Sequence, residues 1–374
     1  MKRVLFLIIL FSGCVDPYTP PNLKSSDSLL VIDGYIDTAT KSTINLTRTK
    51  NLTSTDPIEI EEGATLWLED NAGNKIFLQE EGGGTYTLAA QSFPPKEYSL
   101  HVITQDSKEY ISEFVPVMES PAIDSVSWEL TADKGVQLYV STHDDQNPEG
   151  FYRWSFEETW TYTAAYNSVY DFNPATKTVT VRTESIYQCW TSDRSNDILI
   201  ATTQRLNKNV ISEFPLIYKG NTSEELRYRY SILVNQYAIT EDSYNYWQQQ
   251  KKNTEDLGTL FGPLPTQITG NFKCITDPSE KVVGYFHIGS VSSKRIYISF
   301  EDLPSPPFYD TGYSSCELNG VLLAGLQNFS GPFTFVGGIP NPNGPGVIGY
   351  TYTSQFCADC TLRGGSTTKP DFWE

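Results

Sequence analysis

Ala64-Thr65-Leu66-Trp67-Leu68-Glu69-Asp70-Asn71-Ala72-Gly73-Asn74-Lys75-Ile76-Phe77-Leu78 decides how this chain folds. Ala64, Leu66 and Leu68 alternate with Thr65, Trp67 and Glu69, a period of two that puts apolar groups on one face of a strand. Asp70 to Asn74 is a dense turn signal, and Lys75 to Leu78 supplies the returning strand.

The same unit recurs on both sides. Ser28–Ile36, Ser42–Thr49, Tyr86–Leu88 after Gly82-Gly83-Gly84, Tyr98–Ile103 and Tyr110–Val115 all read as short strands spaced about ten residues apart. The composition agrees: 23 Tyr and 19 Phe suit pleated, half-buried surfaces, and 26 Gly with 22 Pro suit many turns. The fold class is mainly β, with an immunoglobulin-like β-sandwich over 28–116.

Pro116–Pro121 reads as a boundary. A second β-sandwich-like domain is expected over 117–303, with strands at Asp124–Leu130, Val136–Ser141, Phe151–Glu157, Val179–Arg182, Ile198–Thr203, Leu226–Gln236, Val282–Ile288 and Arg295–Phe300. A long insertion is expected at about 159–177. Trp154, Trp160, Tyr162 and Tyr166, in and around it, suit core packing or an exposed contact with protein or glycan. One helix is expected at about 241–256: Thr240 is a good N-cap, Glu241 and Asp242 fill the first turn, Tyr244 and Trp247 face the core, and Gly258 can end it. Beyond Pro304 the pattern fades, so 304–374 reads as a loop-rich region held by cysteines.

The amino terminus carries a different signal. Met1-Lys2-Arg3 is basic, and Val4 to Phe11 is apolar but shorter than the ~20 residues that span a bilayer. Ser12-Gly13-Cys14 then resembles a bacterial lipobox. Residues 1–13 are therefore expected to be a signal peptide, with lipid on Cys14 and a proline-rich tether over 14–27. Several acyl chains at ~0.8 kcal/mol per buried CH₂ would anchor the protein stably.

The formal net charge of −18 repels phosphate backbones, which excludes nucleic acid as a partner. The remaining cysteines are Cys189, Cys274, Cys316, Cys357 and Cys360. In an exported chain disulfides are the default. Cys316 is expected to join Cys357 or Cys360, with Cys189 a further candidate and one thiol left over. The C-x-x-C spacing of Cys357 and Cys360 is also that of a zinc half-site or a redox pair, but partner ligands and an α/β context are missing.

Catalytic signals are sparse. His101 and His287 sit inside strand patterns, and no nucleophile elbow, zinc-protease, P-loop or dinucleotide motif is present. No catalytic or cofactor-binding residue is assigned. Asp144, Asp145 and Glu149, following His143, could gather around calcium through oxygen ligands, or form an ordinary acidic turn.

A set of short motifs occurs in order along the chain: Leu30-Val31-Ile32-Asp33-Gly34; Gln188-Cys189-Trp190; Val234-Asn235-Gln236; the helix with Tyr244 and Trp247; Pro265-Thr266-Gln267-Ile268-Thr269-Gly270-Asn271; Val283-Gly284-Tyr285-Phe286; Cys357-Ala358-Asp359-Cys360; Gly364-Gly365; and Lys369-Pro370-Asp371-Phe372-Trp373. Together they resemble the domain of unknown function 4249 family of Bacteroidota lipoproteins. The resemblance implies an outer-membrane lipoprotein, on the cell surface or the periplasmic face, whose genes neighbour TonB-dependent transporters. It brings no catalytic residues and no cofactor. It also makes Cys274 the candidate unpaired thiol. Asp27-Ser28-Leu29, Asp37-Thr38-Ala39 and Asp124-Ser125-Val126 resemble the O-glycosylation acceptor of such bacteria, at Ser28, Thr38 and Ser125.

The expected function is a non-enzymatic binding or accessory component, partnered with an outer-membrane β-barrel of the TonB-dependent class. The alternatives are a surface glycan hydrolase using two carboxylates and a purely structural envelope protein.

Overall fold

A computed structural model describes residues 28–50, 54–255, 270–306 and 308–373. The expected signal peptide, Cys14, the expected tether, Gly258 and the Pro265–Thr269 motif lie outside the described residues.

The opening hairpin forms as its alternation dictates. Thr65–Asp70 pairs with Lys75–Phe77, and the Asp70 carboxylate closes the turn by accepting from the Ala72 and Asn74 backbone N–H groups, each at 2.9 Å. Around it a first sandwich forms from two sheets. One runs Val282–Val283, Leu30–Asp37, Ser42–Arg48, Thr85–Leu88, Gln79–Gly82; the other runs Phe272–Cys274, Glu109–Ser112, Glu97–Ile103, Thr65–Asp70, Lys75–Phe77. Leu30, Leu46, Leu68, Leu100 and Val102 fill the space between them. Each such buried side chain contributes roughly 1.5–3 kcal/mol.

Three short strands of this sandwich come from far along the chain, and this corrects the expected boundaries. Val282–Val283 pairs in parallel with Leu30-Val31, Ile288–Gly289 pairs in parallel with Ile36-Asp37, and Phe272–Cys274 pairs antiparallel with Tyr110–Ser112. Phe286, 1% exposed, enters the same core. Glu280 reinforces the docking by accepting from Lys108 and Tyr110. The first sandwich is thus 28–116 plus a returning segment, and the second domain is not a continuous 117–303. A run of two or three apolar residues does not reveal which sheet it will join.

The second sandwich packs Ile123–Leu130, Val136–His143 and Val210–Lys219 against a sheet ordered Gln188–Arg194, Phe151–Thr163, Arg229–Ala238, Val291–Ser299. Its core holds Leu138, Val140, Trp154, Phe156, Tyr230, Ile232 and Val234. A buried charge group is paired here: Lys219 Nζ lies 2.9 Å from Glu158 Oε1, which also accepts from Tyr230 at 2.6 Å.

Phe151–Thr163 runs straight through the expected start of the insertion at 159, pairing with Gln188–Arg194 as far as Thr163 and burying Tyr162, 2% exposed. The excursion begins after Ala164 and forms the hairpin Tyr170–Asn173, Thr178–Val181. The region 304–374 is not loop-dominated. Asn319–Leu322, Phe333–Pro340 and Val347–Ser354 join that hairpin, through Tyr170 opposite Phe335, in a five-stranded sheet.

The helix spans Glu241–Glu255, and Thr240 caps it by accepting from the Ser243 N–H at 3.2 Å. Its most buried aromatic is Tyr246, 8% exposed, whereas Tyr244 and Trp247 are half-buried. Among the described residues no helix is long and apolar enough to cross a membrane.

Candidate functional site

The linker that joins the sandwiches is held by one buried amide. Gln236, fully buried, donates to Pro121 O at 2.8 Å and Thr142 Oγ1 at 3.1 Å, and accepts from Trp154 Nε1 at 3.0 Å. The Met118 backbone N–H donates to Ile288 O at 3.0 Å. The linker therefore lies fixed along the seam.

A groove of about 320 Å³ opens at this seam. Glu119 from the linker, Asp144, Asn147 and Glu149 from the acidic turn, and Tyr152 and Asn209 from the second sandwich line it. Its floor is a closed polar chain: Tyr152 donates to Asn209 Oδ1 at 3.0 Å, Thr203 donates to the same oxygen at 2.9 Å, and Asn209 Nδ2 donates to Asn147 O at 3.3 Å. A groove of this size with carboxylates at the rim and an aromatic floor suits a polar or cationic small ligand.

The three expected calcium ligands divide. Asp144 and Glu149 reach the groove, but Asp145 points away, 87% exposed, with its carboxylate 3.8 Å from His143 Nε2. Asp144 is already engaged by Asn147 Nδ2 at 2.8 Å and the Gln146 N–H at 2.8 Å. Among the described residues no three His, Cys, Asp or Glu side chains come together to hold a metal ion, so the calcium reading is corrected. Burial pushes the Asp144 carboxyl up, but the bonds from Asn147 and Gln146 outweigh it and hold the group below its ordinary range.

His143 faces Asp124 at 2.8 Å, and that bond raises its pKa. His101 stacks on Trp67 with centroids 4.7 Å apart, and burial lowers its pKa.

One disulfide staples the C-terminal region onto the second sandwich, and another closes a loop within that region. Cys189 bonds Cys360, and Cys316 bonds Cys357, leaving Cys274 free and buried in the first core. Cys357 and Cys360 take different partners, so their C-x-x-C spacing forms neither a redox pair nor a zinc half-site. Trp154 and Tyr162 are core residues, Trp160 packs against both neighbouring clusters, and Tyr166 donates to Cys316 O at 3.1 Å. Of the expected acceptor hydroxyls, Ser28 is exposed, Thr38 is half-buried at a strand end, and Ser125 is half-buried inside a paired strand.

Residues 15–295 match the family described as domain of unknown function (DUF4249). The chain belongs to the DUF4249 family. In this DUF4249 protein several of the motifs that carried the resemblance meet one another: Gly284 packs against Ile32, Tyr285 against Tyr246, Asn271 bonds both backbone groups of Phe286, and Cys189 bonds Cys360. No curated protein matches it. It is similar to a segment of two fibronectin type-III domains from chicken tenascin, at 12% identity over 57% of this chain and 92% of that one, with a TM-score of 0.17, too low to bear on the argument.

Glu119 and Asn209 were not apparent from the sequence. They join Asp144 only because the linker and the strand Val210–Lys219 meet at the seam. Neither has a local pattern that marks it.

Proposed function

We propose that this DUF4249 protein is exported, anchored by lipid at Cys14, and acts without catalysis as a binding or accessory component of an outer-membrane complex, with a TonB-dependent β-barrel as its partner. The observation that carries this reading is the C-terminal sheet. It is stapled through both disulfides, yet Leu318, Leu322, Leu323, Phe333, Ile348 and Phe356 on and beside it are exposed. Large apolar side chains gathered in water are a feature of interaction surfaces. Disulfides between distant segments suit an oxidising compartment, which favours export. The surroundings implied by the family resemblance favour a barrel as the partner.

Glycan hydrolysis has less support. A proton donor needs a raised pKa, and Asp144 in the groove is held low.

Crosslinking in native outer membranes, followed by purification and mass spectrometry, tests the proposal. A barrel should co-purify with the wild type and be reduced several-fold for Leu322→Glu with Phe333→Glu. Recovery of the wild type as a lone monomer under the same crosslinking contradicts it.

A further inference from the structure

Ile239 separates the groove from a second, smaller cavity at the same seam. The first sandwich contributes Tyr35, Tyr285 and His287, the second contributes Arg153 and Tyr237, and the helix contributes Ser243 and Trp247. The free space is about 20 Å³, room for one water-sized group.

Arg153 is the unusual member. Its guanidinium stacks 4.1 Å from the Trp247 ring and 5.5 Å from the Tyr237 ring. Among the described residues it forms no ion pair and no hydrogen bond, although it feels the charge of Asp33. Burial pulls its pKa below the ordinary range. Arg153 is half-buried, and stacking on two rings offsets only part of the cost of partly withdrawing its charge from water. His287 adds no further charge, because burial and Arg153 both keep it neutral.

A second observation comes from Ser243. It is fully buried, lines the same cavity, and its hydroxyl has no hydrogen-bond partner. A buried donor left unmet loses the hydrogen bond that water would give it in the unfolded chain. A guanidinium with no ion-pair partner among the described residues, with Asp33 acting on it only at a distance, and a buried hydroxyl without an acceptor therefore line one small cavity, and a small anion satisfies both.

We propose that the cavity between the two sandwiches binds a single small monovalent anion of halide size, held by the Arg153 guanidinium and the Ser243 hydroxyl. The size of the cavity excludes sulfate, phosphate and larger carboxylates. Because the wall is drawn from both sandwiches and the helix, occupancy ties the seam together. A bound ion stabilises the folded state in proportion to the logarithm of its concentration over its Kd.

The test uses the full chain in detergent, melted in sodium bromide against sodium gluconate at equal ionic strength, together with bromide anomalous scattering from crystals. The expected result is a higher melting temperature in bromide, a bromide peak beside Arg153, no bromide shift for Arg153→Met, and affinity about ten-fold weaker for Ser243→Ala, the loss of one charge-assisted hydrogen bond. Identical wild-type melting in the two salts overturns the proposal. So does a bromide shift that persists undiminished in both variants, or a cavity peak that is water in bromide crystals.

Discussion

Trp154 Nε1 donates to Gln236 Oε1 at 3.0 Å, and both side chains are buried between the linker and the second core. The amide also holds Pro121 O and Thr142 Oγ1. One side chain thus links the core of the second sandwich to the segment that positions the first.

Gln236→Leu keeps the volume and removes all three bonds. It leaves the Trp154 N–H and Pro121 carbonyl buried without partners, a loss of about 2–4 kcal/mol. Urea unfolding should show the midpoint falling with little change in slope. A variant as stable as wild type would mean that the linker is held by apolar contacts alone.

Opening either disulfide should destabilise the chain by roughly 2–5 kcal/mol, since each constrains the unfolded state. The larger effect belongs to Cys189–Cys360, which closes 171 residues, against 41 for Cys316–Cys357. Cys360→Ser and Cys357→Ser, unfolded in urea without reductant, measure the two separately. Equal stability with and without reductant in the wild type counts against the stapling.

The first sandwich was largely legible because its strands are long enough to alternate, as Thr65–Asp70 and Glu97–Ile103 do. The helix was legible because Thr240 marks its start. The return of Val282–Val283 to the first sheet was not, because two residues carry no period. The C-terminal sheet was hidden for another reason. Gly337, Gly338 and Gly349 interrupt its strands, and register shifts after Phe335 and Ile339 break the alternation that a strand should show. The groove was half legible: the acidic turn drew attention to Asp144 and Glu149, while Glu119 and Asn209 arrive by tertiary packing.

Gly284 sits at φ +142°, and a Cβ there would meet Ile32 O at 2.3 Å. Gly284→Ala should cost more than about 1 kcal/mol, and it should loosen the return segment from Leu30–Asp37 first. Hydrogen exchange at the Ile36 N–H, which donates to His287 O at 3.0 Å, reports that loosening directly. Unchanged protection there would show that the close approach does not hold the segment.

His287 supplies an acid-dependent term. Burial, and then Arg153, push it down to about 4 from an ordinary value of 6.5. The unfolded chain binds this proton first, so the contribution is fully present above pH 6.5 and is lost as pH falls to 4. The loss is about 3 kcal/mol by linkage. Stability measured at fixed halide from pH 7 to pH 4 should fall less steeply for His287→Gln than for wild type. Parallel curves would mean that His287 is not held neutral in the fold.

We propose that this protein works outside the cytoplasm while tied to lipid. Intact mass spectrometry of the mature chain, extracted from membranes, tests this most directly. We expect residues 1–13 to be absent and acylated glyceryl on Cys14. A mature amino terminus without acyl chains, or a chain in the cytosol that keeps its first thirteen residues, would contradict it.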